Sequence, residues 1–276
     1  MLFQLNKLLF FAFISLGAMC LKAQTNKNFK TPKKEVMDTV KMKVEIWSDV
    51  MCPFCYIGKR KFENALAKFA DSNYIEIEWK SFELNPNLKT DTTKSTAQYL
   101  AEQKGLPMTQ VKQMIAHASN MAAQVGLEYR LETAIVANSF NAHRFSHYAK
   151  TKGKQHEAEE ELFKAYFTLN KNTDDINVLL ELGAQIGLNT TELKTVLESN
   201  QYANEVRADE NEAMNLGIQG VPFFIFNRKV AVSGAQDESV FLKVLQQTYP
   251  EFRKANPIQK FDIIEGAVCK PDGTCE

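Results

Sequence analysis

The sequence lacks an excess of charge of either sign. Its 33 lysine and arginine residues are matched by 33 aspartate and glutamate residues, so the formal net charge at pH 7 is zero. A protein that binds nucleic acid through its phosphates usually carries a basic surplus. The composition therefore gives no reason to expect a nucleic-acid partner.

The chain also lacks a comfortable membrane span near its start. An apolar run from Leu8 to Met19 follows Lys7 and ends in small and polar residues, and it is shorter than the ~20 residues that cross a bilayer. This pattern is typical of a secretory signal peptide. We predict a signal peptide over residues 1–23 and export, to the periplasm if the source is bacterial. Lipoprotein anchoring through Cys20 is the less favoured alternative, because Met19 stands where a small residue is expected.

Cysteine is scarce, and its placement is informative. Cys20 falls in the predicted signal, which leaves two close pairs, Cys52/Cys55 and Cys269/Cys275. An even number in an exported protein indicates disulfide chemistry. A structural disulfide between Cys52 and Cys55 would close a loop of only four residues. It would add only about 1.9 kcal/mol to the stability of the fold. A zinc site would need two further ligands, and the other pair is distant in sequence, so a redox role is favoured.

The hydrophobic pattern places the first pair at the start of a helix. Residues 43–47 and 75–79 alternate as strands do, and apolar residues recur at helical spacing over residues 53–70. Pro53 suits a first helical turn, and the helix dipole favours a thiolate at Cys52. We therefore expect Cys52 to form the mixed disulfide and Cys55 to resolve it.

The order of predicted elements is β-α-β, a helical block, then α-β-β-α. With a Cys-x-x-Cys pair opening the first helix, this order resembles the thioredoxin fold of the DsbA family, an α/β fold with a helical domain inserted between its two halves. The stretches SDVMCPFCYIGKR (48–60), FELNP (82–86), NSFNAHRFSHYA (138–149) and GVPFFIF (220–226) resemble the FrnE-like branch. Its relatives include 2-hydroxychromene-2-carboxylate isomerases and kappa-class glutathione transferases.

The resemblance implies a domain organisation. Ahead of the domain, residues 24–42 are polar and lysine-rich with little periodicity, and this composition predicts a flexible leader. The thioredoxin-like domain comprises residues 43–88 and 201–250, and the helical insertion comprises residues 89–200. A C-terminal tail carrying Cys269 and Cys275 covers residues 251–276, and that pair is either a second redox centre or a structural staple.

The resemblance also implies site residues. Val221-Pro222 looks like the cis-proline element of this fold, and Val221 would offer its backbone to a bound peptide. Pro53 and Phe54 are expected to contact substrate as well. The DsbA prototype has histidine where Phe54 stands, and phenylalanine cannot help to stabilise a thiolate in that way. We therefore expect a weaker oxidant than the prototype.

The function implied is that of an exported thiol–disulfide oxidoreductase that acts on cysteine-containing proteins or peptides. It would need no dissociable cofactor, and a redox partner would recycle its disulfide. One alternative is a glutathione-dependent transferase or isomerase, a branch that usually has serine where Cys52 stands. The other is a non-catalytic peptide-binding chaperone. The direction of electron flow stays open.

Three further residues are candidate modulators of the dithiol. Asp49 could assist proton transfer to Cys55 or merely cap a loop. By resemblance, His143 and Arg144 line a cleft beside the thioredoxin core, with structural hydrogen bonding as the alternative. His143 and His147 have the spacing of two metal ligands on one helical face, but no third ligand accompanies them, so no metal site is predicted.

Overall fold

A computed structural model of the chain describes residues 40–257 and Thr274. The predicted signal peptide, nearly all of the predicted leader, and Cys20, Cys269 and Cys275 lie outside the described residues. The elements, in chain order, are β1 Met42–Ser48, α1 Pro53–Ala67, β2 Ile75–Ser81, β3 Asp91–Ser95, α2 Thr96–Lys104, α3 Met108–Ala123, β4 Ile135–Val136, α4 Phe140–Thr151, α5 Gln155–Phe167, α6 Ile176–Gln185, α7 Thr190–Glu198, α8 Ala203–Asn215, β5 Phe223–Phe226, β6 Val230–Ser233 and α9 Glu238–Ala255.

The central sheet has the strand order β2-β1-β5-β6. Strand β1 runs parallel to β2, with Ile46 opposite Trp79, and antiparallel to β5, with Ile46 opposite Phe224. The helices α2 to α8 are inserted between β2 and β5. This arrangement confirms the predicted α/β fold, a thioredoxin-like sheet interrupted by a helical insertion.

The two faces of the sheet are covered by different helices. Alternate side chains of β1 point to opposite faces, so Ile46 packs on the α1 and α9 side while Trp47 packs on the α8 side. On the first side the rings of Phe62, Phe224, Phe226 and Phe241 contact one another at centroid distances of 4.6 to 6.0 Å. This aromatic cluster fixes α1, and with it the cysteine pair, against the sheet.

The hairpin between β5 and β6 forms where the sequence predicts it. The strands pair antiparallel across Asn227-Arg228, and both turn residues have positive φ, 50° and 54°. Two consecutive positive φ values are the geometry of a type I′ turn, which matches the twist of the strands it joins. Asparagine tolerates this region well, so the prediction holds without the favoured Asn-Gly pair.

The insertion contains a small sheet that the sequence does not predict. Strands β3 and β4 pair antiparallel as a two-stranded sheet. The segment of β3, DTTKS, has no alternation of apolar and polar residues, so nothing in its pattern indicates a strand.

The last helix is longer than predicted. The sequence predicts an end near Thr248 and a tail from residue 251, but α9 continues to Ala255 with Pro250 inside it. Tyr249 and Phe252 are both buried. Burial of an aromatic side chain stabilises by about 1.5–3 kcal/mol, so two of them offset the ~3 kcal/mol cost of a helix-interior proline. The start of the tail is therefore corrected to a position after Ala255.

Within residues 40–257, no helix combines the length and the apolar character that a membrane crossing requires.

Candidate redox site

The cysteine pair lies at the N-terminus of α1, as predicted. Cys52 is the N-cap residue, with extended backbone angles, and Pro53 occupies the first turn of the helix. The backbone N–H of Cys52 donates to the Asp49 carbonyl at 3.0 Å, and that of Cys55 donates to the Cys52 carbonyl at 3.0 Å. These bonds form a tight turn that leads the chain into the helix. Cys52 therefore stands at the end of the helix where the N–H groups of the first turn lack partners within the helix.

Both cysteines are free thiols, and both are largely buried. The exposed fraction is 4% for Cys52 and 1% for Cys55, so the outer position of Cys52 gives it only slightly more access. Burial raises the pKa of Cys55 well above its usual value, and the Cys52 sulfur raises it further. The Ser48 hydroxyl and the Asp49 backbone N–H lower it in part. Cys55 is thus held as a neutral thiol, as a resolving cysteine would be between reactions.

The Val221–Pro222 peptide bond is cis, which confirms the expectation drawn from the sequence resemblance. The Val221 carbonyl accepts a hydrogen bond from the Cys52 thiol at 3.5 Å. Gly58 lets α1 approach this loop closely, because a Cβ placed there would lie 3.0 Å from Pro222 Cγ. The dithiol and the cis-proline loop are therefore in direct contact.

The helical insertion also contacts the active-site turn. The Tyr129 hydroxyl donates to the Pro53 carbonyl at 2.6 Å, and its ring stacks on Phe167 with centroids 4.6 Å apart. Burial raises the pKa of Tyr129, and negative charge on either Cys52 or Cys55 raises it further. The sequence analysis missed Tyr129, because it lies in a loop of the insertion and no local pattern links it to a residue 76 positions earlier.

An ion-pair cluster around a buried lysine anchors the rest of α1 to the insertion. The Lys59 side chain is only 2% exposed and pairs with Glu160 of α5 and with Glu63. The same Glu160 carboxylate accepts hydrogen bonds from Arg60 and from the Tyr56 hydroxyl, each at 2.7 Å. The sequence analysis missed this cluster too, since lysine and glutamate on a helix usually indicate a solvated face.

An exposed aromatic ring lies between the two cysteines. Phe54 is 38% exposed. Leu84, whose backbone N–H donates to Asp49 at 2.7 Å, is also exposed.

Asp49 is fully buried, and its carboxylate is fixed by the backbone. One oxygen accepts from the Met51 N–H at 3.2 Å and the other from the Leu84 N–H at 2.7 Å. This is the loop-capping role that the sequence analysis left open. Asp49 also lies 3.8 Å from His143 Nε2, so the structure brings these two candidate modulators together.

Arg144 is turned away from them. Its guanidinium donates to carbonyl groups at and after the C-terminus of α7, including that of Gln201 at 2.8 Å and that of Leu197 at 3.3 Å. These bonds satisfy helix-end carbonyls that lack partners within the helix. The structural alternative for Arg144 is therefore the one that the contacts favour.

His147 has a structural environment as well. Its Nε2 lies 3.1 Å from the Ser81 hydroxyl and 3.1 Å from Asp209 Oδ2. In the described part of the chain, no three histidine, cysteine, aspartate or glutamate side chains are grouped so that they could hold a metal ion.

A thioredoxin-like sheet, a dithiol at the start of its first helix and a facing cis-proline define a DsbA-type thioredoxin-fold protein. Residues 43–246 match the family of DSBA-like thioredoxin domains. A crystal structure of a probable DsbA oxidoreductase from Streptomyces coelicolor is 35% identical, with a TM-score of 0.71, over 85% of this chain and 98% of its own. The protein YwbO of Bacillus subtilis (strain 168) is 29% identical over 206 residues, covering 73% of this chain and 94% of YwbO.

A more distant structure, that of a 2-hydroxychromene-2-carboxylate isomerase, shares the fold. It is 13% identical with a TM-score of 0.55, covering 79% of this chain and all of its own. The chain belongs to the DSBA-like thioredoxin domain family. Membership of this family supports an activity of the oxidoreductase type.

Proposed function

We propose that the protein is an exported protein thiol–disulfide oxidoreductase that works through Cys52 and Cys55. One observation carries this proposal: Cys52 occupies the N-cap position of α1 while its sulfur contacts the carbonyl of Val221, the residue before the cis-proline. The sulfur that would exchange therefore adjoins backbone that a peptide could pair with.

The exchange conserves atoms and electrons in two steps. In the reducing direction, the Cys52 thiolate attacks a substrate disulfide, a Cys52–substrate disulfide forms, and one substrate sulfur leaves as a thiolate. Cys55 then loses its proton and attacks Cys52, so the enzyme disulfide forms and the second substrate sulfur leaves and takes up a proton. Two electrons pass from enzyme to substrate. The oxidising direction is the reverse of these steps.

Substrate recognition follows from the surroundings of Cys52. A cysteine-containing peptide would lie along the Val221 backbone, with Phe54 and Leu84 offering apolar contact. Main-chain pairing binds an extended peptide with little dependence on its sequence. This surface therefore suits a protein or peptide substrate, and a redox partner that is itself a protein or peptide. The exchange reaction uses only the sulfurs of Cys52 and Cys55.

The direction of electron flow is tested by the reduction potential of the Cys52/Cys55 couple in glutathione buffers. A value near that of thioredoxin, about −270 mV, would assign reduction, and a value at or above about −200 mV would assign oxidation or isomerisation. Cys52→Ser should abolish exchange with a disulfide peptide. Cys55→Ser should instead accumulate the mixed disulfide, which mass spectrometry detects.

Two other outcomes would change the assignment. Absence of exchange activity in the unsubstituted protein, with peptide binding that is unchanged in Cys52→Ser, would refute the proposal and favour a peptide-binding chaperone. Conjugation of glutathione to a small electrophile, undiminished in Cys55→Ser, would favour the glutathione-dependent alternative. Export is tested separately, by fusing residues 1–23 to a reporter and following its location.

The tail pair needs its own test. Replacing Cys269 and Cys275 with serine together and measuring turnover under recycling conditions separates the two roles proposed from the sequence. Slower turnover would assign a second redox centre, and unchanged turnover would leave the structural role.

A further inference from the structure

His143 is a buried histidine that the exchange steps described above do not use. It lies on α4 of the insertion and is almost completely buried, and no residue in the described part of the chain offers its Nε2 a hydrogen bond. Buried polar atoms are nearly always paired, so an unpaired one calls for an explanation, and a role in chemistry is one such explanation.

Carboxyl groups from three elements surround this imidazole. Asp49, in the loop after β1, places Oδ1 at 3.8 Å from Nε2, a distance that is too long for a hydrogen bond but close enough for an ion pair. Glu83, after β2, and Glu159, on α5, act on it from further away. Burial alone would lower the pKa of His143, but Asp49, Glu159 and Glu83 together raise it above its usual value.

The other carboxyl groups have partners of their own, in whole or in part. Glu83 pairs with Arg207 of α8 through Oε2, while its buried Oε1 has no hydrogen-bond partner among the described residues. Glu159 accepts a hydrogen bond from the Ser146 hydroxyl at 2.6 Å. Asp209 of α8 pairs with His147 rather than with His143. The Asp49 oxygens receive only backbone N–H groups, so His143 is the described side chain positioned to compensate its charge.

Asp49 adjoins the sulfurs through its backbone. Its carbonyl accepts from the Cys52 N–H at 3.0 Å, and its own N–H favours negative charge on the Cys55 sulfur. If the Asp49 carboxylate had no positive charge beside it, its negative charge would oppose ionisation of Cys55. A pair made of the Asp49 carboxylate and a His143 imidazolium has no net charge and would not oppose it.

We propose that His143 is a positioning residue for the resolving step: its imidazolium compensates the Asp49 carboxylate, so that Cys55 can ionise and attack the Cys52 mixed disulfide. This inference rests on the proposed function, since it concerns the second of the two exchange steps. That step is the one described above, in which Cys55 loses its proton and the leaving substrate sulfur gains one.

The test uses the reduced full-length chain with Cys20, Cys269 and Cys275 replaced by serine, so that Cys52 and Cys55 are its two remaining thiols, and dithiobis(nitrobenzoate) as the disulfide. Attack by Cys52 releases one coloured thiolate at a rate proportional to reagent, and resolution by Cys55 releases a second at a rate independent of reagent. His143→Asn should slow the second phase on the order of tenfold, the effect of one pKa unit, and leave the first phase unchanged.

The pH profile separates an electrostatic role from a packing role. In the unsubstituted protein the rate of the second phase should rise with pH and then bend downward as His143 loses its proton, at a pH above the ordinary pKa of histidine, about 6.5. His143→Asn should rise without this bend. The double variant Asp49→Asn/His143→Asn should recover most of the lost rate, because the charge that needs compensation is gone.

A matched control is available on the same helix. His147→Asn also removes a buried, carboxylate-paired histidine, but one that faces Asp209, and it should leave the bend in place. The inference would be overturned by an unchanged second phase in His143→Asn, by failure of the double variant to recover, or by loss of the bend in His147→Asn. Failure of Cys52 to release even the first thiolate would overturn the proposed function as well.

Discussion

Replacing Gly58 with alanine should slow disulfide exchange by separating α1 from the cis-proline loop. A Cβ at this position would lie 3.0 Å from Pro222 Cγ and 3.4 Å from Phe224 Cζ. The proline side chain is a closed ring, so it cannot rotate out of the way. Any shift of the loop moves the Val221 carbonyl, which now lies 3.5 Å from the Cys52 sulfur.

Two opposing effects determine the change in stability. Alanine is favoured over glycine in a helix interior by about 0.8–1 kcal/mol. Overpacking a buried contact costs about 1–3 kcal/mol. The net expectation is a destabilisation of about 1 kcal/mol, which lowers the melting temperature of a domain of this size by about 2–4 °C.

The assay pairs thermal unfolding with the rate at which the reduced protein attacks a disulfide peptide. Gly183→Ala is the matched control, because Gly183 is also a buried helical glycine and its added Cβ would lie 2.5 Å from Leu193 Cδ2. Both variants should lose stability, but only Gly58→Ala should lose exchange rate. An unchanged exchange rate in Gly58→Ala, with an equal or higher melting temperature, would refute the reasoning.

Three further substitutions have expected outcomes. Glu160→Ala should lower the free energy of unfolding in urea by about 1.5–3 kcal/mol, because the buried Lys59 would keep only one of its two carboxylates. Burial tends to raise the pKa of Glu78, but hydrogen bonds from Lys150 and Lys43 lower it from 4.5 to about 2. Its contribution to stability is therefore complete above pH 4.5 and is lost as the pH falls towards 2, and Glu78→Gln should flatten the acid limb of the stability–pH curve. Phe54→His should raise the potential of the dithiol by about 30 mV, the equivalent of 1.4 kcal/mol of added stability for the reduced form.

Each of these expectations has a control. Glu157→Ala removes an exposed partner of Lys154 and should cost less than about 1 kcal/mol, so an equal cost for Glu160→Ala would contradict the buried-pair argument. An acid limb of unchanged steepness in Glu78→Gln would show that other groups dominate it. Phe54→Leu should leave the reduction potential unchanged. In Phe54→His the increase in potential should be larger at pH values below about 6.5, where histidine is protonated. An increase that is no larger there would contradict a role for imidazolium charge.

The parts of the fold that could be predicted are those with a local cause. Strand alternation and helical spacing determine β1, α1 and β2, and Pro53 in a first turn places Cys52 at the helix start. The strand pair around Asn227-Arg228 is likewise determined by its turn. The resemblance added the cis state of Pro222, which local pattern alone leaves as a minority form.

The parts that could not be predicted depend on distant packing. Helix α9 passes through Pro250 because Tyr249 and Phe252 are buried beyond it. The hydrogen bond from Tyr129 to Pro53 joins two segments that only the folded insertion brings together. Histidine spacing on α4 could not show that His143 faces Asp49 while Arg144 faces α7.

The insertion and the thioredoxin-like half contribute different things to the site. The thioredoxin-like half supplies both sulfurs and the cis-proline, the groups that would react or bind in the proposed exchange. The insertion supplies Tyr129 on the active-site turn, Glu160 on the buried lysine of α1 and His143 beside Asp49. None of these three side chains forms a bond to a sulfur. Each of them contacts the segment from Asp49 to Lys59, which carries both cysteines. Since a change of only 1.4 kcal/mol between the two redox states moves the potential by about 30 mV, substitutions in the insertion can retune the dithiol without altering the cysteine motif.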